Sequence, residues 1–276
     1  MDSGHSQNFK FPIFNFQFAL AADGGRAVTS GARQGVRVFA DIEEMSRAAA
    51  EQVVSLSRGA KASGRIALAL SGGTTPGRLY SLLATPTYRD AVDWSSLHLF
   101  WADERCVPPD HPSSNFKLVR DALLSQVALP EGNIHRIIGE AGPERAARLY
   151  EEDLRGFFGL ALFPVFDLIL LGVGEDGHTA SLFPGAPALR ERTRLATAVV
   201  IGPQNLSRVS LTLPVINHAS QVLILAAGRA KAAIVHEILE GRNSKQYPAG
   251  MVQPVGGGVT WMIDQEAASL LSQRGK

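Results

Sequence analysis

One cysteine, Cys106, stands in a chain of 276 residues. That excludes an internal disulfide framework and any cysteine-based metal cluster, and it suits a reducing compartment. Net charge is nearly absent too: 27 basic residues face 26 acidic ones, for a formal charge of +1. No broad nucleic-acid or membrane footprint is expected from that balance, although a small local cationic pocket is compatible with it. Long apolar runs are missing. The longest, at 166–173, is interrupted by Asp167 and falls far short of the ~18 residues of a membrane span. The seven histidines show no metal-ligand spacing. Neither a metal nor another cofactor is expected. What is present is a globular composition, 45% hydrophobic and 19% charged, in a chain long enough to bury a sizeable core.

The first 35 residues read differently from the rest. Residues 9–20 are aromatic-rich, but no basic stretch precedes them and no clear small-residue cleavage site follows. A secretory signal is therefore not expected. Residues 21–35 are rich in Gly, Ala and Ser and read as a tether. We expect 1–35 to be a disordered or added tail and 36–276 to be one domain.

From residue 36 onward, strand-like and helix-like segments alternate. Residues 36–40 form a short β-type run. Asp41 then suits an N-cap, with Glu44 at capping-box spacing, and Ile42, Met45, Ala49, Val53 and Leu56 predict a helix to about residue 60. Strands are expected at 65–70, 97–101, 134–138, 167–171, 195–200, 209–213, 221–226 and 259–263. Helices are expected at 76–83, 114–124, 143–158, 229–240 and 264–272. This order predicts βαβ units and an α/β fold: a doubly wound, mainly parallel Rossmann-like sheet with helices on both faces. In such sheets, ligands bind beyond the C-terminal strand ends. The loops there hold the candidate chemistry.

The first such loop is Ser71-Gly72-Gly73-Thr74-Thr75-Pro76. Its glycines, hydroxyls and helix-start N–H groups suit a phosphate, or form a plain glycine turn. It is not a P-loop, because Arg78 and Leu79 stand where Lys and Ser/Thr are required. The second, Asp103-Glu104-Arg105, is either a solvated loop start or a charge cluster aimed into a cleft. The third runs from Gly172 through Gly174 and Gly177 to His178. Its glycine spacing mimics a dinucleotide fingerprint, but Pro184 and Pro187 preclude the long helix such a motif opens. Asp176, two residues before His178, makes a reasonable general-base arrangement; a solvated loop histidine is the plain alternative. The fourth feature pairs Arg208 with Lys231. A lysine at a helix start opposes the helix dipole, unless a bound anion supplies the negative charge or the side chain simply reaches into solvent. Cys106 lacks a paired histidine motif and reads as a packing residue.

Together these segments resemble the 6-phosphogluconolactonase family, within the superfamily that also holds glucosamine-6-phosphate deaminase. The matching strings are SGGTTP (71–76), FWADERCVP (100–108), FDLILLGVGEDGHTASLFPG (166–185), RVSLTLPVIN (208–217), GRAKAAIV (228–235) and WMIDQEAA (261–268). They occur in family order. The resemblance implies hydrolysis of 6-phospho-D-glucono-1,5-lactone, the second step of the oxidative pentose phosphate pathway, by a cytoplasmic enzyme. It places the substrate phosphate on Ser71, Gly72, Gly73 and Thr74, with Thr75 adjacent, and on Arg208 and Lys231. It makes His178 catalytic, with Asp176 beside it, and gives a further acidic–arginine cluster of Asp103, Glu104 and Arg105, of which Arg105 and Asp103 are expected to join the catalytic set. The implied partner is a small phosphosugar lactone, with no nucleic acid and no membrane; a monomer is the default expectation. The deaminase, or a non-catalytic sugar-phosphate sensor, is the alternative.

Overall fold

Asp41 caps the first long helix as its spacing requires: its carboxylate accepts from the Glu44 N–H at 2.8 Å. Glu44 reaches back to the Ala40 N–H at 2.6 Å. A computed structural model describes residues 26–29, 34–59, 64–159, 162–200 and 206–272 of the chain. The strands are β1 (Arg26–Thr29), β2 (Gln34–Phe39), β3 (Ile66–Leu70), β4 (Leu97–Trp101), β5 (Asp103–Arg105), β6 (Ile134–His135), β7 (Leu168–Gly172), β8 (Ala196–Val199), β9 (Arg208–Leu211), β10 (Gln221–Ala226) and β11 (Gly258–Asp264). The helices are α1 (Ile42–Arg58), α2 (Thr74–Leu83), α3 (Pro86–Arg89), α4 (Asn115–Ala122), α5 (Pro143–Phe158), α6 (Leu213–Ile216) and α7 (Ala232–Leu239).

The main sheet has the order β1-β2-β11-β10-β7-β3-β4-β6. Every pairing from β2 to β6 is parallel; only β1 runs antiparallel to its neighbour. Each residue of β3 is buried, so both faces of the sheet are covered. The order also marks where a ligand should sit. From β3 the chain winds outward through β4 to β6, and from β7 it winds the other way through β10 to β11. The β3/β7 boundary is thus the topological switch point, and the loops leaving those two strands diverge around a crevice.

Several boundaries differ from the sequence expectation. Part of the segment read as tail joins the sheet: Ala27 and Val28 pair with Arg37 and Val36. Residues 1–25 and 30–33 lie outside the described residues. α2 starts at Thr74 rather than Pro76, because Gly73, at φ 104°, makes the turn. The expected strand at 134–138 is only Ile134–His135. The expected helix at 264–272 is a series of turns: Asp264 accepts from the Ala267 N–H at 2.8 Å and a second helical turn does not follow. At 229–240, a 3-10 turn over Arg229–Lys231 precedes α7.

The largest difference is a second sheet. The charged segment at 103–105 forms β5 and pairs antiparallel with β9, which pairs antiparallel with β8. Ala102 is the pivot. Its N–H donates to Leu70 O of the main sheet at 2.7 Å, and its carbonyl accepts from Leu211 N of the second at 2.8 Å. The site-bearing loops therefore stand on two sheets, not one.

Candidate active site

Two buried tyrosines fix the strand ends from which the site grows. The Tyr80 hydroxyl donates to Ser71 O at 2.7 Å and accepts from Ser71 N at 3.1 Å. The Tyr150 hydroxyl does the same for Trp101, donating to its carbonyl at 2.8 Å and accepting from its N–H at 3.0 Å. Burial pushes both phenols far above their ordinary range, so both stay protonated donors. Beyond Ser71, a Cβ on Gly72 would lie 1.9 Å from Asn115 Oδ1. Glycine at 72 is what lets the Asn115 side chain lie flat on this loop.

On the second sheet, Arg105 stands directly opposite Arg208. Arg105 Nη1 donates to Ser113 O at 2.6 Å. The Arg208 guanidinium sits 5.4 Å from the Phe183 ring centroid. Burial, and then the adjacent Arg105 charge, push the Arg208 guanidinium below its ordinary pKa. Like charges paired on a half-buried face call for a counter-anion. Of the two acids just before Arg105 in sequence, Glu104 turns away from the cleft. It accepts from the N–H groups of Arg105, Asn115 and Phe116, each at 2.7 Å, and from Ser114 Oγ at 2.9 Å, capping α4. Asp103 stays in the cleft wall. Its carboxylate accepts from Asn115 Nδ2 at 3.1 Å and from Ser181 Oγ at 2.5 Å.

The third loop is built around its histidine. A Cβ on Gly174 would come within 2.1 Å of His178 Nδ1. Gly177 turns at φ +81°, with Tyr247 packed where its side chain would be. These glycines shape the loop for the imidazole, not for a dinucleotide. Asp176 accepts from the His178 N–H at 3.1 Å and from Nδ1 at 2.5 Å. Burial pushes the Asp176 carboxyl up, but these bonds and the His178 charge outweigh it and hold it below its ordinary value. With Nδ1 engaged, Nε2 is the nitrogen left for chemistry. The Phe183 ring lies 4.5 Å from the imidazole.

Lys231 follows β10, in a turn whose Gly228 N–H donates to Asp264 at 2.9 Å. Of the residues singled out from the sequence, those of the 71–75 loop, Asp103, Arg105, His178, Arg208 and Lys231 line one cleft, whereas Glu104 faces the start of α4 and Asp176 stands behind His178. The cleft also takes in Asn115, which the sequence placed only as a helix residue. Among the described residues, buried side-chain atoms without a partner include Ser71 Oγ, Asn115 Oδ1, Arg105 Nε and Arg208 Nε, and all four residues line this cleft. Unsatisfied polar atoms gathered in the residues that wall one cavity are consistent with a polar ligand site.

A family profile described as glucosamine-6-phosphate isomerases/6-phosphogluconolactonase matches residues 40–261. The chain belongs to that family. It is 46% identical over 212 residues to a 6-phosphogluconolactonase of Synechocystis, covering 75% of this chain and 85% of that protein. With a human 6-phosphogluconolactonase the identity is 40% over 243 residues, covering 86% and 93%. The solved structure of a 6-phosphogluconolactonase from Trypanosoma brucei superposes with a TM-score of 0.74 at 29% identity, covering 86% of this chain and 98% of that one. The family match runs from α1 into β11 and takes in the second sheet and all four site loops, so the strings read from the sequence and the folded cleft agree on one family. No helix among the described residues is long and apolar enough to cross a membrane.

Proposed function

We propose that this cleft hydrolyses 6-phospho-D-glucono-1,5-lactone to 6-phospho-D-gluconate. The phosphate lies between the 71–75 loop, Arg208 and Lys231, and places C1 near His178. A lactone is an activated ester, so one water, one base and one oxyanion stabiliser suffice. Ionised Asp176 keeps the imidazole proton on Nδ1, which leaves the Nε2 lone pair to take a proton from water as it attacks C1. Arg105, or an N–H of the glycine loops, stabilises the tetrahedral oxyanion. His178 then returns the proton to the departing ring oxygen. The phosphate contacts supply remote binding energy for this alignment. The two sheets act as one catalytic unit, in the cytoplasm and as a monomer, on a small phosphosugar, with neither nucleic acid nor membrane as partner.

The family also holds a deaminase/isomerase branch, whose chemistry needs a carboxylate free to move a proton at C2. The observation that carries the hydrolytic reading is Asp103. It is the one carboxylate among the described residues lining the cleft, it is 4% exposed, and both its oxygens accept from protein donors. A coupled assay tests the choice. Lactone loss above the spontaneous rate, with no ammonia released from glucosamine 6-phosphate, is the expected result; the reverse pattern rejects it.

A further inference from the structure

Asp103 is tied to both walls of the cleft. Asn115 Nδ2 donates to the Asp103 backbone carbonyl at 2.9 Å and to its carboxylate at 3.1 Å. A carbonyl oxygen can only accept, so the amide orientation is fixed by chemistry. On the other side, Ser181 Oγ donates to Asp103 Oδ2 at 2.5 Å across a sequence separation of 78 residues. Asn115 lies on Gly72 of the phosphate loop. Ser181 belongs to the loop that carries His178, and its Oγ also lies 3.5 Å from Arg208 Nη1. Asp103, Asn115 and Ser181 are 4%, 2% and 0% exposed.

We propose that Asp103 is a positioning residue: a buried brace, with Asn115 and Ser181 as its two arms, that sets the spacing of the phosphate loop against the His178 loop. The inference rests on the hydrolytic reading above and refines the place of Asp103 in it. Its logic is geometric. A phosphate held at 71–75 aligns C1 with His178 only if the two loops keep a fixed separation, and a misplacement of about 1 Å costs up to ~10²-fold in rate. Cutting either arm severs the same connection, so the two cuts do not add.

The test uses the full chain with Asn115→Ala, Ser181→Ala, their combination, and Asp103→Asn. The readouts are kcat, KM, the pH profile of kcat/KM, and binding of inorganic phosphate by calorimetry. Each single arm variant should lose roughly 10- to 100-fold in kcat/KM, with kcat itself affected. The combined variant should fall little below the poorer single one. Asp103→Asn should keep the shape of the wild-type pH profile and weaken phosphate. A combined loss equal to the product of the singles overturns the brace. So does loss of a limb of the pH profile in Asp103→Asn, which marks a proton-transfer group. Tighter phosphate with unchanged kcat in that variant also overturns it, because Asp103 is then only a counter-charge. If Asp103→Asn does not fold, the two-arm cycle decides alone. If the wild type does not hydrolyse the lactone, the hydrolytic reading fails separately, and the brace stands or falls on non-additive weakening of inorganic phosphate.

Discussion

Asp176 holds His178 by two atoms at once, accepting from its backbone N–H at 3.1 Å and its Nδ1 at 2.5 Å. The two residues form a rigid unit in which the carboxylate selects the tautomer and the loop sets the ring plane. Asp176→Asn keeps the size but removes the charge that favours the proton on Nδ1. We expect kcat to fall roughly 10²-fold or more, toward the range of a mispositioned acid/base group, with KM changed little. Steady-state kinetics check this; an unchanged kcat contradicts the orienting role.

In the proposed reaction, Arg208 and Lys231 hold the phosphate, far from the bond that breaks. Arg208→Ala and Lys231→Ala should each raise KM by roughly 10- to 100-fold, as for a lost hydrogen bond to a charged group. Glucono-1,5-lactone, which lacks the phosphate, should be hydrolysed equally by these variants and the wild type. A KM unchanged for the phosphorylated substrate contradicts the assignment.

Tyr80 is fully buried, and its hydroxyl satisfies both backbone polar groups of Ser71. Tyr80→Phe leaves a buried N–H and carbonyl without that partner. Unfolding in urea should show a loss of about 1–3 kcal/mol. A loss below about 0.5 kcal/mol, within the range of an ordinary surface change, contradicts the clamp.

Cys106 follows Arg105, and we expect it to play no nucleophilic part. Burial, and then the Glu104 charge, push its thiol up to about 11. A raised pKa keeps the thiol neutral through pH 8, and its thiolate fraction grows only as pH approaches 11. Alkylation by iodoacetamide at pH 8 should run a few hundred-fold slower than for free cysteine, whose pKa is about 8.5. Cys106→Ser should hydrolyse the lactone at the wild-type rate. Labelling as fast as free cysteine, or an inactive serine variant, contradicts this.

The strands β4 and β10 and the helix α5 occupy the residues their apolar patterning predicts. The place of the 71–76 loop in the cleft and the Asp176–His178 contact were legible too, because each is a contiguous string whose geometry is local. What the sequence did not reveal depends on distant partners. β5 reads as a polar loop because its residues are charged, yet Asp103 and Glu104 are 4% and 3% exposed. Their burial is made possible by Ser181, Asn115 and the N-terminus of α4. Asn115 became a site residue only when folding laid it on Gly72. Arg105 and Arg208 became neighbours only through the antiparallel register of the second sheet. The conversion of 264–272 from helix to turns likewise rests on Asp264, whose carboxylate serves Gly228 as well as Ala267.

The most direct measurement is the rate of 6-phosphogluconolactone loss with the purified wild-type chain, with His178→Ala, and with buffer alone. We expect hydrolysis well above the spontaneous rate for the wild type and a kcat lower by roughly 10²–10⁴ in His178→Ala, at similar KM. A wild type no faster than buffer, or a His178→Ala variant with near-normal kcat, contradicts the proposed reaction.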